Sequence, residues 1–141
     1  MTKVDVRWAH PSDADSMARI AESSGFVIPG VEIDWSKLGH SWIAAEIDGE
    51  IVGACQILIG YPVGRVDYLL LDQSLPKVTK AIVVVTMIRV MSQMMKAAGV
   101  EVVCTYVNEE KDPSHYGMLL EEGWIPQFKA MALLGITKEL R

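Results

Sequence analysis

The stretch from Ser41 to Gly60, SWIAAEIDGEIVGACQILIG, decides the fold. Two apolar runs flank Asp48-Gly49. Asp-Gly in that setting signals a hairpin, because the tight turn needs a positive φ that glycine takes without steric cost. Two adjacent antiparallel strands are predicted. Next comes VGRVDYLLLDQ, a third strand reached through a turn at Tyr61-Pro62 and Gly64. It is nearly all apolar after Tyr68, which predicts a central strand covered on both faces.

On the N-terminal side, Val4, Val6 and Trp8 alternate with Asp5 and Arg7, the period of a strand. HPSDADSMARIAESSG reads as a helix. Ser12 is the expected cap, Asp13 and Asp15 suit the positive end of the helix dipole, and Gly25 ends it. In FVIPGVEIDWSKLGH, Pro29-Gly30 marks a turn before a short helix through Trp35 and Leu38. On the C-terminal side a long helix is predicted from about Lys77 to Ala98. Val84, Met87, Ile88, Met91, Met95 and Ala98 form its apolar stripe, and Gly99 its cap. VEVVCTYVNE is a further strand, HYGMLLEEG a short helix, and Trp124 to Thr137 one or two closing strands. The order is β-α-(α)-β-β-β-α-β-α-β. It predicts one α/β (α+β) domain over residues 1–141, with a right-handed crossover and helices on both faces of the sheet.

Composition narrows the function. Half of the 141 residues are apolar and 22% charged, the balance of a globular chain. Net charge is -5, which argues against a nucleic-acid surface and suits a cationic acceptor. Cys55 and Cys104 sit in apolar runs without metal spacing and read as buried free thiols. MTKVDVRWAH lacks a signal-peptide core, and the apolar run AIVVVTMI is short of a membrane span. A soluble cytoplasmic protein with no membrane partner is expected. His10, His40 and His115 are scattered, without a triad or metal pattern, and read as surface or cap residues. Met87, Met91, Met94 and Met95 read as core.

Taken in order, these segments resemble the GNAT superfamily, the acyl-CoA-dependent N-acetyltransferases. VRWAHPSDADSMARIAE is similar to that family's opening strand and helix. WIAAEIDGEIVGACQI is similar to its second and third strands, and VNEEKDPSHYGMLLEEGW to its late segment ending in Gly-aromatic. The resemblance implies a mixed sheet of six to seven strands and acetyl-CoA as cosubstrate. It also implies a small-molecule or peptide amine as acceptor.

The family's pyrophosphate motif runs from a proline to Arg/Gln-x-x-Gly-x-Gly/Ala and then a helix. Here Pro76 and Gly99 both place its first position at Thr79, so the motif falls on Thr79, Lys80, Ala81, Ile82, Val83 and Val84. Neither the Arg/Gln nor a glycine is present. Isoleucine and valine add bulk and resist positive φ. Helix-start amides and the charges of Lys77 and Lys80 remain for a looser phosphate grip, and core packing is the other reading of Val83 and Val84. The resemblance places the pantetheine arm beside Leu71, Asp72, Gln73 and Ser74, and Asn108 where the family has a cofactor-contacting asparagine. Asp72, or Asp67 farther down the strand, is the candidate base on the acceptor side; a solvated strand-end carboxylate is the plain alternative. The family's acid tyrosine falls on Leu119. Tyr116, about one helical turn earlier, is the candidate acid, with a packing tyrosine as the alternative.

Two functions are carried forward. One is an N-acyltransferase with a degenerate loop. The other is a non-catalytic GNAT-fold binding or interaction protein that has lost tight CoA binding, with a helix-packed homodimer as a variant.

Overall fold

The computed structural model describes residues 2–38, 40–107, 110 and 112–126. It divides into two compact units, Met1–Cys104 and Thr105–Arg141.

The first unit is built on the expected hairpin. Strands β2 (Trp42–Ile47) and β3 (Glu50–Leu58) pair antiparallel, and Ile47 faces Glu50 across the two-residue turn. Asp48 and Gly49 hold φ of 52° and 78°, the pair of positive values such a turn requires. β1 (Asp5–Trp8) lies beside β2, and β4 (Val63–Leu71) beside β3, both antiparallel. β5 (Val102–Thr105) completes the order β1-β2-β3-β4-β5 in a mixed sheet. Five strands stand among the described residues. The predicted closing segment falls largely on residues 127–137, outside them.

Helix α1 (Ala14–Ser23) covers one face. Its Met17, Ile20 and Ala21 are buried with Trp42, Ala44, Ile51, Ala54 and Leu70. Ser12 is not its cap. Pro11–Asp13 form a 3₁₀ turn in which Nδ1 of His10 accepts the amide of Ser12, and Asp13 accepts the amide of His10. Proline at the first helical position pre-sets φ, and this moves the capping duty to His10 and Asp13. Arg7 then grips Asp13 with two hydrogen bonds and Glu46 with a third. Gly25, at φ 67°, ends the helix as predicted.

Helix α2 (Lys77–Ala97) lies on the opposite face. Val83, Val84, Met87, Ile88, Met91 and Met95 are its buried stripe. Two strand glycines let it approach. A Cβ on Gly53 would stand 3.0 Å from Val83 and 3.2 Å from Met87, and one on Gly64 would meet Met95 at 2.8 Å. At 21 residues α2 is long and apolar enough to cross a membrane by length and composition alone. Its stripe rests on the sheet, as the core helix of a globular unit does. Gly99, at φ 84°, closes it.

In the second unit, α3 (Pro113–Glu121) starts on the side chain of Asp112, which accepts the amide of His115. Gly123, at φ 90°, ends it.

Candidate functional site at the end of β4 and the start of α2

β4 is less covered than its apolar sequence predicts. Gly64 and Leu70 are buried, but Tyr68 is 50% exposed. The register explains this. Ala54 faces Leu70 while Gln56 faces Asp67, so β4 carries one extra residue opposite Cys55. Such a bulge bends the strand and favours glycine in the left-handed region. Tyr68 stands there at φ 55°. A left-handed backbone costs an L-residue about 1–2 kcal/mol, so packing of the ring must offset it. The ring lies near-parallel to Trp42 at 6.4 Å and edge-on to Phe26 at 5.2 Å. Trp35 closes the cluster against both Phe26 and Trp42.

Past the bulge, the end of β4 is held by α1. The amide of Asp72 bonds to the carbonyl of Val52 on β3 at 2.8 Å. Backbone groups alternate sides along a strand, so those of Leu71 point off the other edge. There the Ser24 hydroxyl accepts the Leu71 amide and donates to the Leu71 carbonyl, each at 2.8 Å. Ser23 accepts the amide of Gln73 at 2.9 Å. Two serines at the end of α1 therefore occupy the backbone edge on which the sequence reading placed the pantetheine arm.

Asp72 already has partners in the turn. Its carboxylate accepts the amide and hydroxyl of Ser74 at 3.0 and 2.7 Å and lies 3.5 Å from Arg19. The Ser74 bonds, aided by Arg19, hold this carboxyl below its usual range. That direction leads away from a base poised near neutrality. Asp67, the alternative base, pairs with Arg65 at 3.1 Å, its side chain only 12% exposed.

The segment aligned with the pyrophosphate motif is not a loop. Thr79, Lys80, Ala81, Ile82, Val83 and Val84 all lie inside α2, and the amide of Lys80 already bonds to the carbonyl of Pro76. An α-helix leaves open only the amides of its first turn, here those of Lys77, Val78 and Thr79. Lys80 turns its ammonium to Gln73 Oε1 at 3.2 Å, so cationic charge stands beside that turn. Val83 and Val84 are buried. Leu71, Asp72, Gln73, Ser74 and Lys80 are thus gathered at one place. Tyr116 lies on α3 in the second unit. Its neighbour His115 has a buried Nδ1 without a hydrogen-bond partner among the described residues, and burial lowers its pKa. Asn108 lies outside the described residues.

Sequence reasoning missed the bulge and the two serines. Tyr68 sits in an unbroken apolar run with no glycine to mark a bulge. Ser23 and Ser24 read only as the polar end of a helix.

No protein-family model and no curated protein sequence matches the chain. Solved structures do. A ribosomal-protein-alanine N-acetyltransferase from Brucella melitensis biovar Abortus 2308 is similar at a TM-score of 0.72 and 16% identity, covering 93% of this chain and 99% of its own. The aminoglycoside N-acetyltransferase AAC(6')-Iy, solved in complex with CoA, is similar at 0.72 and 11%, covering 96% of each chain. Diaminobutyrate acetyltransferase EctA from Paenibacillus lautus, solved with L-2,4-diaminobutyric acid and coenzyme A, is similar at 0.64 and 19%, covering 86% of this chain and 78% of its own. The fold is that of the GNAT N-acetyltransferases, as the segment order implied.

Proposed function

We propose that this chain is an acyl-CoA-dependent N-acyltransferase. It would move an acetyl group from acetyl-CoA to the amine of a small molecule or peptide by direct attack. The observation that carries this reading is the likeness, across more than nine-tenths of the chain, to N-acetyltransferases including one solved with CoA. Acetyl-CoA would supply the acyl group already activated as a thioester.

The residues fit that cosubstrate in a reduced way. The open first-turn amides of α2 and its dipole favour a phosphate, and Lys77 and Lys80 add charge. The grip is electrostatic, without the close backbone approach that glycines allow. Asp72, held as an anion by Ser74 and Arg19, shapes the turn between β4 and α2; the proton lost by the amine passes to water. The protein's main contribution is position.

The Ser23 and Ser24 contacts favour a second reading, a non-catalytic binding protein on the same fold. Hydroxyls already satisfy the amides of Leu71 and Gln73, so an arm seated on that edge must displace them.

Isothermal titration with acetyl-CoA separates the two, with desulfo-CoA and ATP as controls. Micromolar binding, weakened by about tenfold in Lys80→Glu as one charge contact is reversed, is the expected result. No heat up to millimolar acetyl-CoA would remove the transferase reading and leave the binding protein.

A further inference from the structure

We propose that the C-terminal end of α1 is an autoinhibitory latch on the end of β4, a regulation of the cosubstrate edge that rests on the transferase reading above. Three α1 side chains close on one place. The Ser24 hydroxyl accepts the amide of Leu71 and donates to its carbonyl, each at 2.8 Å. Ser23 accepts the amide of Gln73 at 2.9 Å. One turn back, Arg19 lies 3.5 Å from the Asp72 carboxylate. An amide-bearing arm would bond to the same Leu71 groups, as an extended chain does when it adds to a strand edge. The latch also takes the arm's space. A serine hydroxyl sits one bond beyond Cβ, so bonds this short bring the α1 backbone itself over the edge. Turning the hydroxyls away does not clear the path; the helix end has to move.

That end is built to move. It closes with a paired cap, the amide of Phe26 on the carbonyl of Ala21 at 2.9 Å and the amide of Gly25 on that of Glu22 at 3.0 Å. Gly25 holds φ of 67° and Gly30 of 76°, and between them Val27 is 78% exposed. Glycines at both ends of an exposed segment absorb the change of dihedral that release requires. Phe26 sets the resting position. Its ring packs edge-on to Tyr68 at 5.2 Å and tilted against Trp35 at 6.2 Å, which holds the latch shut while no ligand competes. A minor open state held at about 1–10% of the population weakens binding about 10–100-fold.

Isothermal titration with acetyl-CoA tests this on the full chain, on Ser23→Ala/Ser24→Ala and on Gly25→Ala. Amide exchange of the parent is followed alone and at saturating acetyl-CoA. Gly25→Ala keeps both serines, and its methyl meets nothing within 4 Å, so it acts only by straining the positive φ of the cap. Acetyl-CoA should bind about tenfold more tightly to the double variant and several-fold more tightly to Gly25→Ala. In the parent, acetyl-CoA should speed exchange of the Ser24 and Phe26 amides while that of Leu71 stays protected. Affinity equal to the parent's in either variant, or unchanged protection of Ser24 and Phe26, overturns the latch and leaves the transferase reading standing. Absence of binding in all three chains removes the transferase reading and the latch with it. If the double variant unfolds, Gly25→Ala and the parent's exchange decide.

Discussion

Gly53 shows how much a single residue decides here. It sits on β3 under α2, with Val83, Met87 and Leu71 within 3.3 Å of where a Cβ would be. Val83 is β-branched and buried, so it has little room to yield. Gly53→Ala should therefore cost about 1–2 kcal/mol of stability, as overpacking does, measured by urea unfolding. Cys55 faces similar confinement, and burial pushes its thiol up to about 12. The native chain should leave it unlabelled by a thiol reagent at pH 7.5 and react there only on unfolding. Asp13 gives a pH signature. Arg7, with the His10 amide, holds its carboxyl below the ordinary range. A depressed carboxylate adds stability that is present above the unfolded value near 4 and lost as pH falls through the folded one. Asp13→Asn should cost about 1 kcal/mol at pH 7, the modest worth of a partly solvent-screened pair. The parent and variant should converge once the pH has fallen below the folded value, itself below the ordinary carboxylate range; a constant difference across the titration would show that packing, not charge, is lost.

At the scale of elements, the junction of β4, α1 and α2 carries the functional question. The residues that align with a phosphate loop extend α2 by its first turns, because valine, isoleucine, alanine and lysine all take helical φ and no glycine interrupts them. The end of α1 fills the backbone edge of β4 with two hydroxyls. Ser24→Ala removes one of these plugs. It should cost about 1–2 kcal/mol in urea unfolding, because the part-buried Leu71 amide loses its partner. If the arm of acetyl-CoA takes that edge, the same variant should bind acetyl-CoA several-fold more tightly in isothermal titration. Equal affinity would show that the arm lies elsewhere.

At the scale of the molecule, a ligand that binds only the native state raises its melting temperature. Acetyl-CoA at about a hundred times its Kd should add about 2.7 kcal/mol, or about 5–10 °C for a chain of this size. An unchanged melting curve in millimolar acetyl-CoA would support the non-catalytic reading. The comparison with solved acetyltransferases bears on this scale only. At 11–19% identity it concerns the path of the backbone, and the chemistry must come from the residues on it.

The elements were legible in the sequence because their signals are local. Asp48-Gly49 makes a hairpin turn, Gly25, Gly99 and Gly123 end helices, and the apolar stripe of α2 recurs with the helical period. The missing phosphate-loop glycines were equally plain. The rest depended on distance in the chain. No local pattern says that Ser24 meets Leu71, 47 residues away, or that Tyr68 stacks on Trp42 and meets Phe26 edge-on at a bulge. A serine near a helix end and a tyrosine in an apolar strand satisfy the same propensities in many folds. What each does is set by which backbone groups and rings the packed sheet and helices bring within a few ångströms, and only the tertiary structure decides that.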